Sequence, residues 1–435
     1  MKILLYPDKQ QLLQKLARPY ISNSEVSQQV SAIRVSVAQR GDDALRELSE
    51  RFDGIALPDM RVPASAFYEA EKALSPALKE AINRAAANIE KFHRTQMQPF
   101  IQTMVEEGVT CWQRSVPVGR VGMYVPGGSA PLISTVLMLA IPARIANCPE
   151  RVMCTPPDKN GNLDPAILYA AQLSGITRVF KVGGAQAIAA MTYGTQTIPR
   201  VDKVFGPGNQ YVTEAKQQAL AQGVAIDMPA GPSEVLIIAD KTANPAFVAA
   251  DLLAQAEHGA DSQSVLLTND RILLEAVQEQ VKQQLEDLPR KGVAGMALRN
   301  SVMVLVKDMQ EAMVISNDYA PEHLILAVAN AEEMSMEVRQ AGSVFLGNYT
   351  PESVGDYASG TNHTLPTNGF ARSYSGLNMD AFLKKITFQQ LSSTGIQSLG
   401  PTVEVLAEAE KLQGHRNAVT LRLKQLANKM KEVKP

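Results

Sequence analysis

The sequence predicts an α/β protein: two tandem Rossmann-like modules with mainly parallel sheets, preceded by a helical N-terminal segment and followed by a C-terminal helical extension. Three observations carry this. From Val116 onward, short β-rich runs alternate with helical segments of roughly ten to fifteen residues, the mark of βαβ units. The alternation falls into two comparable series, one after the other. On either side of them apolar residues recur at spacings of three and four, the period of a helix packed on one face.

Taken in order, residues 1–105 form a helical N-terminal region, with helical periodicity from Glu25 to Phe52 and from Leu74 to His93 and no evident chemistry. Residues 106–228 form a first module with strands near Arg120–Val125, Arg151–Thr155, Val179–Val182 and Lys203–Phe205. Its helices lie near Leu132–Ala146, Pro165–Leu173, Ala185–Tyr193 and Gln210–Ala221. Residues 229–378 form a second, with strands near Val235–Ala239, Ser264–Thr268, Val302–Val306, Leu324–Ala327 and Val344–Leu346, and helices such as Pro245–Glu257 and Arg271–Leu285. Its last part, residues 352–378, is rich in Gly, Ser, Thr and Asn and reads as a long loop of the kind common at functional sites. Residues 379–435 turn helical again and end in Val403–Lys429, whose basic residues suit a helix C-terminus. Two like modules suggest a duplication, although no residue-level repeat accompanies it.

Composition excludes several classes. At 435 residues, 45% apolar and 20% charged, the chain can bury large cores, and a net charge of -2 with a single Trp gives no reason to bind nucleic acid. Cys111, Cys148 and Cys154 form no CxxC pair, so no disulfide framework is expected and a reducing cytoplasm fits. No apolar run approaches the roughly 18 residues of a membrane span.

Of five histidines, His258, His323, His363 and His415 fall in the second half beside acidic or amide side chains, whereas His93 reads as an ordinary hydrogen-bonded residue. Gln255 and His258 share one helix face about a turn apart, so one ion can touch both. Asp356 and His415 are candidates to complete such a shell, and Glu257, Asp261 and His363 serve as well on spacing alone. Glu322-His323 precedes an apolar strand, and a histidine beside a carboxylate suits proton abstraction combined with hydration. Three glycine turns follow strands of the first module: Tyr124-Val125-Pro126-Gly127-Gly128-Ser129, Val182-Gly183-Gly184-Ala185-Gln186 and Phe205-Gly206-Pro207-Gly208-Asn209. None is GxGxxG, yet three in one module point toward a nucleotide's phosphates. The turn Asp227–Glu234 joins the modules and presents Ser233. Cys148 and Cys154 read as small buried hydrophobes.

Several phrases are longer and more specific than any of these motifs: VPGGSAPLISTVLMLAIPARIANC, VGGAQAIAAMTYGT, VDKVFGPGNQYVTEAK, AIDMPAGPSEVL, DLLAQAEHGADSQ, PEHLIL and ESVGDYASGTNHTLPT. Over roughly residues 20 to 425 the chain resembles the histidinol dehydrogenases. The resemblance implies a cytoplasmic, NAD-dependent four-electron oxidation of L-histidinol to L-histidine through the aldehyde, with a Zn2+ ion in each subunit of an intertwined homodimer. It implies Gln255, His258, Asp356 and His415 as metal ligands, the last donated by the partner subunit, and Glu322 and His323 as proton acceptors. Ser233, His323 and Glu410 then touch substrate along with the ligands, His363 lies near it, and Tyr124, Gln186 and Asn209 contact the dinucleotide. Two other classes stand beside this: a zinc hydrolase in which Glu322 activates water against an amide, and a nucleotide-binding protein without catalysis.

Overall fold

The computed structural model describes residues 1–18, 24–127, 131–229 and 231–432. Gly128 and Ser129 of the first glycine turn, and Ala230 of the turn between modules, lie outside the described residues. The chain divides into two compact units. One comprises Met1–Gln96 and Val118–Phe382, the other Met97–Pro117 and Leu383–Pro435.

The first unit holds two sheets in which every pairing is parallel. One runs Arg178–Phe180, Glu150–Cys154, Arg120–Tyr124, Lys203–Phe205, Ala225–Ile226 across its width. The other runs Lys2–Leu5, Val302–Leu305, Gln263–Thr268, Glu234–Ala239, His323–Ala327, Ser343–Leu346. Counted from Arg120 and from Glu234, both sheets place their strands third, second, first, fourth, fifth, and Lys2–Leu5 adds one strand at the second sheet's edge. Crossover helices cover both faces. The central strands Glu234–Ala239 and Gln263–Thr268 are therefore buried at every residue, which is why EVLIIA and QSVLLT read as near-continuous apolar runs rather than alternating ones. The expected strands and helices of both series are present, within a few residues at their ends.

The flanks differ from expectation. Within the 1–105 segment expected to be helical, Lys2–Leu5 and Ile101–Glu106 are strands. Within 379–435, Leu383–Leu391 is a strand, and the helix expected over Val403–Lys429 is two, Ser393–Ala409 and Gln413–Glu432, separated where Lys411 takes φ +60°. The reason is non-local. Leu383–Leu391 pairs antiparallel with Val109–Pro117, which also pairs with Ile101–Glu106, so a partner far away in sequence decides a segment whose local pattern is weak. This three-stranded sheet and the two helices make the second unit, where Trp112 stacks on Phe388 at 5.4 Å. The loop expected over 352–378 opens with a short helix, Glu352–Tyr357. Among the described residues no helix is long and apolar enough to cross a membrane.

One backbone position ties the glycine turns to the first sheet. Gly206 has φ +121°, and a Cβ there would meet the Tyr124 carbonyl oxygen at 2.0 Å. Gly292, in the exposed helix Lys291–Ala297, has open space instead. Gly206→Ala is therefore expected to lower the urea midpoint by more than about 1 kcal/mol of stability, whereas Gly292→Ala raises stability by roughly 0.5–1 kcal/mol. Equal midpoints for the two variants would contradict the tight approach at Gly206.

Candidate active site and metal centre

The helix Pro245–Ala256 begins with an Asn244 cap and a proline in its first turn, and its last turn carries Gln255, three residues before His258. A second short helix, Glu352–Tyr357, places Glu352 and Asp356 four apart on one face. Gly355 lets that helix lie against the Phe345 ring, which a Cβ would meet at 2.6 Å. The two helices converge so that ligand atoms of His258, Glu352 and Asp356 fall within 4.8 Å of one another. Gln255 is fully buried, yet neither its amide oxygen nor its amide nitrogen has a hydrogen-bond partner. Such an orphaned amide is costly, and a cation bound through its oxygen removes half of that cost. Imidazole, amide and carboxylate donors fit a borderline-soft divalent ion such as Zn2+.

His323 adjoins this cluster. Its Nε2 lies 3.7 Å from Asp356 Oδ1 and is buried without a hydrogen bond, while Nδ1 is 3.5 Å from Glu352 Oε1 and 3.7 Å from Glu322 Oε2. The backbone of Glu234 touches both members of the pair: its N–H donates to Glu322 Oε2 at 2.9 Å, and its carbonyl is 3.2 Å from His323 Nδ1. That carbonyl can only accept, so a proton stays on Nδ1, and when the ring is neutral Nε2 is the nitrogen left to act as base.

Burial pushes the Glu322 carboxyl up to about 7 and that of Glu352 up to about 8. Burial opposes a charged His323 ring, but Glu352, Glu322 and Asp356 overturn it and hold the imidazolium form far above the usual range. For Asp356, burial is outweighed by the neighbouring His323 ring, and its carboxyl stays below the ordinary value. His258 is kept neutral by desolvation despite Asp356, the protonation state in which imidazole ligates metal. Asp251, one turn before Gln255, is raised to about 7 by burial and adds to the negative field.

Glu322 and His323 stand at the start of their strand and Glu234 at the start of its neighbour, so this cluster sits at the amino ends of the second sheet. The sequence places the pair just before its strand, as observed, whereas the crevice usual in α/β sheets lies at the carboxyl ends. The reason for the opposite edge is that the Pro245–Ala256 helix returns to the amino edge and delivers Gln255 and His258 there. Ser233 immediately precedes this edge, with its carbonyl accepting from the Gln263 N–H at 3.2 Å.

The first sheet follows the usual rule. Beyond its carboxyl ends lies a cleft of ≈ 1040 Å³ lined by Tyr124, Gly127, Gly184, Gln186 and Asn209, large enough for a dinucleotide. Tyr124 Oη accepts from the Gly184 N–H at 3.0 Å, and its phenol is pushed up to about 12 by burial. Asn209 caps the Gln210–Leu220 helix by accepting from the N–H groups of Tyr211 and Val212. The Gly206 turn is held from both sides, its N–H donating to Asp227 and its carbonyl accepting from Lys216, and those two form a buried ion pair at 2.5 Å. The cleft does not include the metal cluster. The two are linked through one helix, whose start at Leu132 lines the cleft and whose Thr135 hydroxyl is 3.2 Å from His363 Nε2; His363 Nδ1 in turn faces the Asp356 carbonyl at 2.9 Å.

The remaining expectations sort simply. Glu410 and His415 belong to the second unit, on and after the turn between its helices, and both are exposed there. Glu257 and Asp261 are not part of the cluster found among the described residues. His93 is buried, hydrogen-bonded to Ile89 and Asn362, and helps anchor the polar loop. Cys148 and Cys154 are fully buried, and burial raises both thiols, Cys148 to about 11. Sequence reasoning missed Glu352, although Glu352 and Asp356 stand at helical spacing, because the segment was taken as loop. It also missed the cleft's far wall, where Gln29, Glu47, Arg51 and Asp53 come from N-terminal helices whose sequence carries no distinguishing signal.

A family model described as histidinol dehydrogenase matches residues 16–423. A histidinol dehydrogenase of Bacteroides thetaiotaomicron is 54% identical over 98% of this chain and 100% of its own length. One from Xanthomonas euvesicatoria is 55% identical over 91% of this chain and 92% of its own. A crystal structure of histidinol dehydrogenase from Elizabethkingia anophelis superposes with a TM-score of 0.96 at 52% identity, covering 98% of this chain and 99% of that one.

Metal binding to such a cluster must displace protons. With Glu322 titrating at about 7 and Glu352 at about 8, Zn2+ affinity of the metal-free protein should rise with pH through that window and level off above it. Titration of Zn2+ in weak buffer should show proton release at the lower end. An affinity flat from about pH 6 to about pH 9 would contradict the cluster as the ligand site.

Proposed function

Since the chain belongs to the histidinol dehydrogenase family, we propose that it oxidises L-histidinol to L-histidine through the aldehyde, the last steps of histidine biosynthesis, with NAD as oxidant and Zn2+ as resident metal. The observation that carries this reading is the meeting of His258, Glu352 and Asp356 beside the buried pair Glu322 and His323, with the unpartnered Gln255 amide three residues before His258. Gln255, His258 and Asp356 would hold the metal, with His415 of the partner subunit as fourth ligand in a cytoplasmic homodimer. The C-terminal extension 379–435 would pack on that subunit. The same reading treats 106–228 and 229–378 as Rossmann-like modules from one duplication, which the shared strand order supports.

When bound, Zn2+ supplies a fixed charge that grips the imidazole and amino nitrogens of the substrate. NAD, when bound, supplies the hydride acceptor for each oxidation. The protein's own residues do the rest. Tyr124, Gln186 and Asn209 seat the dinucleotide in the first-sheet cleft, and Ser233, His363 and Glu410 orient the amino alcohol, so that positioning lowers much of the barrier. His323 Nε2 takes the alcohol proton as the carbinol carbon is oxidised. Glu322 then takes a proton from the water that adds to the aldehyde carbon while His323 returns its own proton to the aldehyde oxygen, and the freed imidazole removes one from the resulting hydrate as it is oxidised in turn. A carboxyl raised toward neutrality is well matched to that exchange near pH 7.

NADH absorbance tests the whole. Growth with histidinol, at about two NADH per histidine formed, is expected; a zinc hydrolase or a non-catalytic nucleotide binder gives no such signal. His258→Asn should lose zinc and activity together. His323→Asn should keep zinc and slow turnover by roughly 10²- to 10⁴-fold, and an unchanged rate would remove His323 from the proton-transfer role.

A further inference from the structure

Both proton acceptors lean on the backbone of one residue, Glu234, and that residue is itself held from a distance. The side chain of Glu234 is 2% exposed, and its carboxylate receives a two-pronged guanidinium from Arg18, through Nε at 2.5 Å and Nη2 at 2.8 Å. The Tyr319 hydroxyl reaches the same carboxylate at 3.2 Å and Gln263 Oε1 at 2.7 Å. Arg18 also lies over the Tyr319 ring, 3.9 Å from its centroid, and donates to the Tyr319 carbonyl at 2.7 Å. Gln263 pairs in register with Glu234 on the adjacent strand, so the cluster spans two strands and the end of the Met309–Tyr319 helix.

A carboxylate this buried stays in place only while it is paired, and Arg18 is the one cation in contact with it among the described residues. Without that fork the carboxylate is left unpaired in a buried place and must turn toward solvent, and that movement shifts the backbone that carries it. The Glu234 N–H fixes Glu322, and the Glu234 carbonyl fixes the tautomer of His323. We propose that Arg18, acting through Glu234, is a positioning residue for the reaction: it holds the one residue whose backbone N–H and carbonyl orient the water-activating carboxylate and the proton-accepting imidazole. The proposal rests on the dehydrogenase reading above and names a part of its machinery that touches neither substrate nor cofactor.

Arg18→Met keeps an unbranched side chain over the Tyr319 ring and removes the fork. With zinc content and circular dichroism as in the wild type, its kcat for NADH formation should fall about 10- to 100-fold while KM for histidinol and for NAD stays within about 2-fold. The limb of the kcat–pH profile that reports the proton acceptor should move. Arg18→Lys, which carries charge without the planar fork, should recover only part of the rate. Added guanidinium should restore part of the Arg18→Met rate. An unchanged kcat, or a loss confined to KM, overturns the proposal. Should Arg18→Met fail to fold, Tyr319→Phe decides: it removes one hydrogen bond to Glu234, and the proposal requires a smaller fall in kcat with unchanged KM, an unaffected kcat overturning it. A wild-type protein that makes no NADH from histidinol would instead refute the dehydrogenase reading, whereas an active wild type with an unaffected variant refutes only the role of Arg18.

Discussion

Three carboxylates crowd one buried imidazole at the amino edge of the second sheet, and this electrostatic constraint governs the site. Glu322, Glu352 and Asp356 all lie within 3.7 Å of His323. Without a cation the cluster relieves its charge by keeping protons, raising Glu322 and Glu352 and holding His323 as imidazolium. A divalent ion among His258, Glu352 and Asp356 relieves the same charge while leaving the carboxylates ionised. The orphaned amide of Gln255 points to the same conclusion without reference to charge, because it lacks a partner that an ion would provide.

The fold links the buried acid–base cluster and the large cleft by using opposite ends of two similar sheets. Tyr124, Gln186 and Asn209 line the cleft beyond the carboxyl ends of the first sheet, whereas Glu322 and His323 open at the amino ends of the second. The helix starting at Ile133 joins them, its first turn lining the cleft and Thr135 meeting His363, which rests on the Asp356 carbonyl. Rigidity is concentrated at these points. The buried Lys216–Asp227 pair clamps Gly206, and the Arg18–Glu234 pair secures the residue whose backbone meets Glu322 and His323. Both are ion pairs whose value lies in geometry more than in net stability.

Much of this was legible in the sequence where signals were local. EVLIIA and QSVLLT announced strands buried on both faces, and Pro245 followed by an apolar run announced the helix whose last turn carries Gln255. The glycine turns at 127, 183 and 206 marked the cleft, since no side chain fits against Pro156 or the Tyr124 carbonyl at those positions. What escaped depended on distant partners. Leu383–Leu391 became a strand through pairing with Val109–Pro117, and Glu352 entered the cluster through a helix of six residues inside a segment of loop-like composition. The wall supplied by Gln29, Glu47, Arg51 and Asp53 is ordinary amphipathic helix in sequence and becomes functional only by where it packs. Arg18, too, has no local signature, because its partner Glu234 lies far along the chain.

The measurement that bears most directly on the central claim is X-ray absorption at the zinc edge on the zinc-loaded protein. The account predicts a shell of nitrogen and oxygen at about 2.0–2.2 Å, with the outer-shell scattering of imidazole and no sulfur at about 2.3 Å. A sulfur neighbour, which would place the metal at a cysteine, or a spectrum without imidazole scattering, would contradict it.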